Sequence, residues 1–283
     1  MFQESEYWNE DPLILNDRNA LPLIGRGNTA EIFLYETGIV LKLFRSSFPE
    51  NGVIKEWRVT RSVQAVYEGM PKALRLVKCG ERRGILYELA EGQDLLKRIL
   101  SNPFLLLTTG RKLAKLHAEI HAKEIDGILT VKEKLRQEIG WANDLSEDEK
   151  RKITDRLLSL PHRSRLCHFD FHPGNVMVSK DRIRVLDWLT ACAGDPAADI
   201  ARTYLLLKYG ELINGDRITQ WILRVAKACI RAAYVRNSVR ISGITRDEVN
   251  QWIIPVAAAR LSEWLTDHER ARLLHLIRKN TNE

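Results

Sequence analysis

The hydrophobic period of this chain changes at Glu91-Gly92, from alternation suited to strands to the three-and-four spacing of amphipathic helices, and no single-class fold accommodates both. Before the change, Glu31-Ile-Phe-Leu-Tyr35 and Ile39-Val-Leu-Lys-Leu-Phe44 flank Glu-Thr-Gly, which predicts a hairpin with Gly38 in its turn. One helix interrupts, over 50 to about 67, with Ile54, Trp57, Val59, Val63 and Val66 roughly at helical intervals. Strands resume at 73–79 and 84–89, divided by Gly80-Glu-Arg-Arg83.

Beyond the change, the pattern predicts helices over 94–100, 103–122, 131–143 and 147–160, the last capped by Ser146. Two short strands follow at 175–178 and 183–186, then helices over 199–209, 216–237, 246–266 and 267–279. In the second of these, Ile218, Trp221, Ile222, Val225 and Ala228 predict a buried stripe. The expected architecture is α+β and bilobal, with a small β-rich N-terminal lobe over 1–91 and a larger, mainly helical C-terminal lobe over 92–283. At 283 residues the chain is long enough for two lobes and a cleft between them.

The chemistry-bearing residues concentrate between Cys167 and Asp187. Cys-His-Phe-Asp-Phe-His-Pro-Gly-Asn puts Asn175 five residues after Asp170, the spacing of a phosphoryl-transfer loop in which the Asp accepts a hydroxyl proton and the Asn holds a divalent cation. Asp187 follows the apolar strand Ile183-Arg-Val-Leu186, so its carboxylate emerges at a strand end, where a second metal contact is needed. In the first lobe, Gly25-Arg-Gly27 reads as a glycine-rich turn whose backbone N–H groups can approach phosphates. Lys42 is a lone charge in an apolar strand and requires an anionic partner. Glu56, fourteen residues on, is the candidate partner; Glu50 is weaker, because a carboxylate at a helix start is explained by the helix dipole. The connector Ile85-Leu-Tyr-Glu-Leu-Ala-Glu-Gly92 offers the backbone of Glu88 and Ala90 to an adenine ring.

These pieces, in this order, resemble the aminoglycoside phosphotransferase and choline kinase family, small-molecule kinases of protein-kinase-like fold. The most specific stretch is His168-Phe-Asp-Phe-His-Pro-Gly-Asn175, followed by Leu186-Asp-Trp188 and Gly194-Asp-Pro-Ala-Ala-Asp-Ile-Ala201. The resemblance implies Asp170 as base, Asn175 and Asp187 as Mg²⁺ ligands, and Lys42 with Glu56 on the phosphates of ATP. It further implies that His168 orients the loop and that Asp199 supports it from a helix start; Asp195 reads as a cap. Phe169 and Trp188 depart from the protein-kinase pattern and point away from a phosphorylation-switched loop, toward a small-molecule acceptor. A catalytically silent nucleotide-binding regulator is the alternative; loss of Lys42, Asp170, Asn175 or Asp187 would favour it, and all four are present.

Other classes are disfavoured. Four cysteines are scattered without a C-x-x-C pair, so neither a disulfide framework nor a thiolate metal site is expected. The formal charge of +7 and pI near 9.2 suit an anionic partner such as a nucleotide, but Lys and Arg alternate with Glu and Asp along the helices, which argues against nucleic acid. No apolar run approaches the roughly 18 residues of a membrane span and the N-terminus lacks a signal pattern, so a soluble, cytoplasmic protein is expected. His117-Ala-Glu-Ile-His121 misplaces the glutamate of a zinc helix and reads as a core-flanking helix. Acceptor-binding carboxylates are sought in Asn143-Asp-Leu-Ser-Glu-Asp-Glu149 and over 263–269, for an aminoglycoside, sugar, amino alcohol or nucleoside; the net positive charge disfavours a polycationic antibiotic.

Overall fold

The structure is a computed structural model that describes residues 12–15, 21–180, 182–210 and 217–281, the side chains at 217–223 and 281 excepted. It divides into two compact units. One runs to Gln93 and takes up Val176–Leu189 again; the other comprises Asp94–Asn175 and the chain from Thr190 onward. The sequence reading divides the chain once, at 91/92, because it has no signal that the 176–189 segment belongs with the first unit.

In the first unit, β1 (Leu13–Leu15), β2 (Leu23–Arg26), β3 (Ala30–Glu36), β4 (Ile39–Phe44), β5 (Ala73–Cys79) and β6 (Arg82–Glu88) form one sheet in the order β1-β5-β6-β4-β3-β2. All neighbours are antiparallel except β1 with β5. The β3–β4 hairpin turns at Gly38, whose φ of 80° is left-handed and open to glycine without strain. Helix α1 (Glu50–Val66) buries Val53, Ile54, Val59 and Val63. On one side of the sheet Phe44, Ile85 and Leu76 pack with Val53 and Ile54 of α1; Leu41, Leu43 and Leu86 form a separate cluster. The alternation along β4 explains the division: Val40, Lys42 and Phe44 share one face, Leu41 and Leu43 the other.

The second unit is helical. After the two-residue strand β7 (Gln93–Asp94) come α2 (Leu95–Ser101), α3 (Leu106–His121), α4 (Val131–Trp141), α5 (Glu147–Ser159) and the short strand β8 (Arg165–Cys167). The hairpin β9 (Val176–Val178) and β10 (Ile183–Val185) belongs to the first unit. The second unit resumes with β11 (Cys192–Gly194), α6 (Pro196–Tyr209), α7 (Arg217–Ser242), α8 (Arg246–Arg260) and α9 (Asp267–Thr281). Strands β8 and β11 pair antiparallel, Cys167 opposite Cys192. Thr130, Ser146 and Thr245 close capping boxes with Glu133, Glu149 and Glu248, which stops α4, α5 and α8 from fraying at their starts. Asp195 caps α6 by accepting from Ala197 N.

Three expectations require correction. The helix predicted over 246–266 ends at Arg260, because Leu261, Ser262 and Glu263 donate to carbonyls three residues back and tighten the last turn. The helix predicted from 103 opens as a 3₁₀ turn, Pro103–Leu105, before α3. The stripe through Val225 is misplaced: Val225 is 45% exposed, and Ala226, Ile230, Tyr234 and Ser238, each four residues apart, carry the buried face of α7. Ile218, Trp221 and Ile222 of that stripe lie outside the described side chains. Strands β1, β8 and β11 are absent from the sequence reading, since three residues are too few to show a period.

Helices α3 and α7 approach so closely at Gly110 that an added Cβ would lie 2.5 Å from Ala233 Cβ and 2.7 Å from Ile230 O. We expect Gly110→Ala to cost about 1–3 kcal/mol, because backbone cannot give way as a side chain can. The midpoint of urea unfolding measures it, and an unchanged midpoint would refute the close approach.

Candidate active site

The loop that follows β8 is held from below by one face of α6. Asp199 accepts from His168 N at 2.6 Å and Phe169 N at 2.9 Å. Arg202 Nε donates to Phe169 O at 3.0 Å, and Thr203 Oγ1 to Phe171 O at 3.1 Å. Residues 199, 202 and 203 are three and four apart, so α6 presents them as one comb to His168, Phe169 and Phe171 of the loop. Phe169 takes φ 64°, a left-handed conformation costly for an aromatic residue, and both its N–H and its carbonyl are pinned by that comb. The effect is to turn the next residue, Asp170, toward a cavity.

Asp199 is itself buried and shared with α3. His117 Nε2 lies 2.8 Å and His121 Nε2 3.2 Å from Asp199 Oδ2, while His117 Nδ1 lies 2.6 Å from Tyr234 Oη. Since an ionised carboxylate only accepts, Nε2 of His117 carries its proton and Nδ1 accepts from the tyrosine. Burial, reinforced by His121, pushes the His117 pKa down to about 4, although Asp199 opposes the shift. Burial would favour neutral Asp199, but the histidines, with two backbone N–H donors, hold its carboxyl well below the usual range. His117, His121 and Asp199 are close enough to suggest a metal site, yet the hydrogen bonds already account for each facing atom. The pair is a support for the loop, in keeping with the reading of 117–121 as a core-flanking helix.

Asp170 is part-buried. Asn175 Nδ2 donates to its Oδ2 at 3.0 Å and to its backbone O at 2.9 Å. His172 Nε2 lies 3.7 Å from the same carboxylate, and His172 Nδ1 accepts from Gly174 N. Burial raises the Asp170 pKa, but His172, then Arg202 and His168, outweigh it and hold the carboxyl well below 3.8. The side chain is therefore anionic at neutral pH. It faces a cavity of about 270 Å³ within this unit, walled by Lys134, Glu138, Phe169, Arg202 and Glu263. The wall carries two ion pairs, Lys134 with Glu138 at 2.5 Å and Arg202 with Glu263 at 2.6 Å, so Asp170 supplies the unbalanced charge.

Of the two stretches searched for acceptor-binding carboxylates, only one reaches this cavity, through Glu263. Asp144 is occupied by Arg270, and Glu149 by its own cap and Arg278. Glu138, Lys134 and Arg202 escaped the sequence reading; the i, i+4 pair on α4 looks like any solvated ion pair. Cys167 is no nucleophile, because burial, then Asp199, pushes its thiol far up.

In the first unit, Lys42 Nζ lies 2.7 and 3.0 Å from the two oxygens of Glu56 and 3.5 Å from Asp187 Oδ1. Tyr87 Oη donates to Glu56 Oε1 at 2.8 Å. Burial lowers the Lys42 pKa, but Glu56 and Asp187 together hold it above 10.5, so the ammonium persists. Burial pushes Glu56 above 4.5 against the pull of Lys42. Asp187 stands just past β10 with φ 60° and a side chain 47% exposed, so one face of its carboxylate meets Lys42 and the rest meets solvent. Glu50 meets Arg83 instead. An added Cβ at Gly25 or Gly27 would find ordinary contacts of 3.5–3.6 Å, so the fold by itself does not demand glycine at either position. In the connector, Glu88 N donates to Lys72 O and Leu89 N to Gly38 O, whereas among the described residues Ala90 N donates to no backbone carbonyl.

The profile of the phosphotransferase enzyme family matches residues 22–228. The chain belongs to that family. It is a phosphotransferase with an alcohol group as acceptor. No curated protein matches it. Among solved structures, the amicoumacin kinase hAmiN, in complex with AMP-PNP, Ca²⁺ and Ami, aligns over 100% of this chain and 94% of its own with TM-score 0.61 and 13% identity. A streptomycin–ATP complex of APH(2")-IIa aligns over 91% of each chain at 16% identity with TM-score 0.54. A choline/ethanolamine kinase family protein from Mesorhizobium loti aligns over 94% of this chain and 89% of its own, at 15% identity and TM-score 0.54. At such identities these structures establish the fold, which is α+β and protein-kinase-like. Among the described residues, no helix is long and apolar enough to cross a membrane.

The buried His117 has a consequence for acid stability. Between pH 6.5 and 4 the unfolded chain binds a proton that the folded chain refuses, so stability falls as pH drops through this window, by about 1.4 kcal/mol per unit. We expect the loss between pH 7 and 5, read from urea midpoints, to be smaller by about 2 kcal/mol in His117→Gln than in the wild type. Equal losses would mean that His117 takes up its proton as readily in the folded chain as in the unfolded one.

Proposed function

We propose that the protein transfers the γ-phosphate of ATP to a hydroxyl of a small molecule, with Asp170 as the base. The observation that carries the reading is an anionic Asp170 turned toward a cavity by a strained, fully pinned loop. An aspartate of low pKa is a weak base in water, but it need only accept a proton as the hydroxyl oxygen forms its bond to phosphorus. The proton moves from the acceptor hydroxyl to a carboxylate oxygen of Asp170, while the bond from the γ-phosphorus to the bridging oxygen breaks and ADP leaves. Asn175, bonded to Oδ2, fixes which way that carboxylate faces.

Lys42, backed by Glu56, supplies the positive charge for the α- and β-phosphates, and the backbone of 25–27 and of 88–90 takes the remaining nucleotide contacts. Each of two residues offers an oxygen that suits Mg²⁺: Asp187 an exposed carboxylate, and Asn175 an amide whose nitrogen is committed to Asp170, leaving its oxygen as the ligand atom. Such an ion would neutralise charge on the transferring phosphoryl group. A cavity of about 270 Å³ suits a compact acceptor such as a sugar, amino alcohol or nucleoside better than a multi-ring aminoglycoside. Domain roles follow: nucleotide with the first unit and residues 1–91, acceptor with the second.

Asp170→Asn should retain binding of Mg-ATP while turnover falls by on the order of 10² to 10⁴. A screen of hydroxylated metabolites with γ-labelled ATP and Mg²⁺ supplies the acceptor for that comparison. Nucleotide binding without transfer to any acceptor would favour the silent regulator, and unchanged turnover in the variant would remove Asp170 from the role.

A further inference from the structure

The glycine-rich turn between β2 and β3 is held by one exposed side chain from the end of β4. Arg45 N donates to Thr29 O at 2.8 Å, Arg45 Nε to Asn28 O at 3.0 Å and Arg45 Nη2 to Gly27 O at 3.1 Å. Three consecutive carbonyls thus converge on one residue, and Gly27 N closes the turn on Ala30 O at 2.8 Å. Every described peptide bond is trans. In a trans peptide the carbonyl of one residue and the N–H of the next point in opposite directions. Drawing the carbonyls of Gly27 and Asn28 toward Arg45 therefore aims the N–H groups of Asn28 and Thr29 the other way. Among the described residues, neither of those N–H groups donates to a backbone carbonyl.

Successive N–H groups aimed outward form the kind of concavity that takes a phosphate, and the guanidinium beneath adds a full positive charge. We infer that Arg45 is a positioning residue for nucleotide phosphates: it orders the turn so that its amides are set before the ligand arrives. The inference rests on the kinase reading above, in which this turn covers the phosphates. Arg45 touches no substrate in this role. Its contribution is preorganisation, which lowers the ordering cost of binding. The side chain is suited to it because a guanidinium donates from two nitrogens held in one plane, and Nε and Nη2 reach adjacent carbonyls here. Lysine has the charge but a single donor nitrogen.

The test compares calorimetric titrations of AMP-PNP with Mg²⁺ and of adenosine against wild type, Arg45→Met and Arg45→Lys, with melting temperatures taken without ligand. Arg45→Met should bind AMP-PNP on the order of tenfold more weakly while adenosine affinity stays as in the wild type, since only phosphates meet the turn. Arg45→Lys should recover part of the loss. An AMP-PNP affinity unchanged in Arg45→Met, or an equal loss for adenosine, overturns the inference and leaves the kinase reading standing. If Arg45→Met melts at a markedly lower temperature, Arg45→Lys decides by the same two affinities. Wild-type protein that binds neither compound overturns the kinase reading, and the inference falls with it.

Discussion

A single carboxylate, Asp199, carries the loop on which the second unit's chemistry depends. It is fully buried, and such a charge is tolerated only when its lone pairs are engaged. Two backbone N–H groups and two imidazoles engage them, and the histidines in turn tie α3 to α6, with Tyr234 adding α7. The cost of desolvating one charge is thus converted into a requirement that three helices and a loop meet at one point. Any other placement of the loop strands a buried anion. That stringency lets Phe169 persist at a positive φ, because Asp199 and Arg202 fix the peptide groups on both sides of it.

The first unit handles a buried charge differently. Lys42 lies on the α1 side of the sheet, where its neighbours along β4 are Val40 and Phe44, and it is stabilised by Glu56 on α1 and Asp187 past β10. Two carboxylates around one ammonium leave a net negative charge in an otherwise apolar corner, with Asp187 open to solvent. A polyvalent cation would balance that excess, which is the physical ground for giving Asp187 to a metal. Glu56, closed in by Tyr87 as well, has no room for one.

How much of this was readable in advance depended on residue type and distance in sequence. Lys42 is legible because a charge in the run Val40-Leu-Lys-Leu-Phe44 contradicts its surroundings, and such contradictions mark partners elsewhere. Asp170 and Asn175 are legible because their spacing is local. Glu138, Lys134 and Arg202 were not, since each is an ordinary charged residue on an amphipathic helix and becomes a cavity wall only when α4, α6 and α8 pack. Arg45 was missed for the opposite reason: an exposed arginine at a strand end is unremarkable until its two nitrogens are seen on adjacent carbonyls. The acidic run at Asp144 is ambiguous in sequence, because helix caps and ion pairs with α9 use the same residues that a cationic ligand would.

The chain's own pattern determined the α+β class, the order of its long helices and the sheet hairpin at Gly38, because hydrophobic period and turn chemistry are local properties. It also determined the chemistry on offer, since the carboxylates of Asp170 and Asp187, the amide of Asn175 and the ammonium of Lys42 are groups of the kind that phosphoryl transfer uses. The tertiary structure decided the rest. It returned Val176–Leu189 to the first unit, ended α8 at Arg260, set Glu263 in a wall, and turned the buried histidines of α3 from metal-like spacing into hydrogen-bonded support. Each of those outcomes depends on groups tens of residues apart competing for the same buried space, and competition of that kind is settled only when the chain packs.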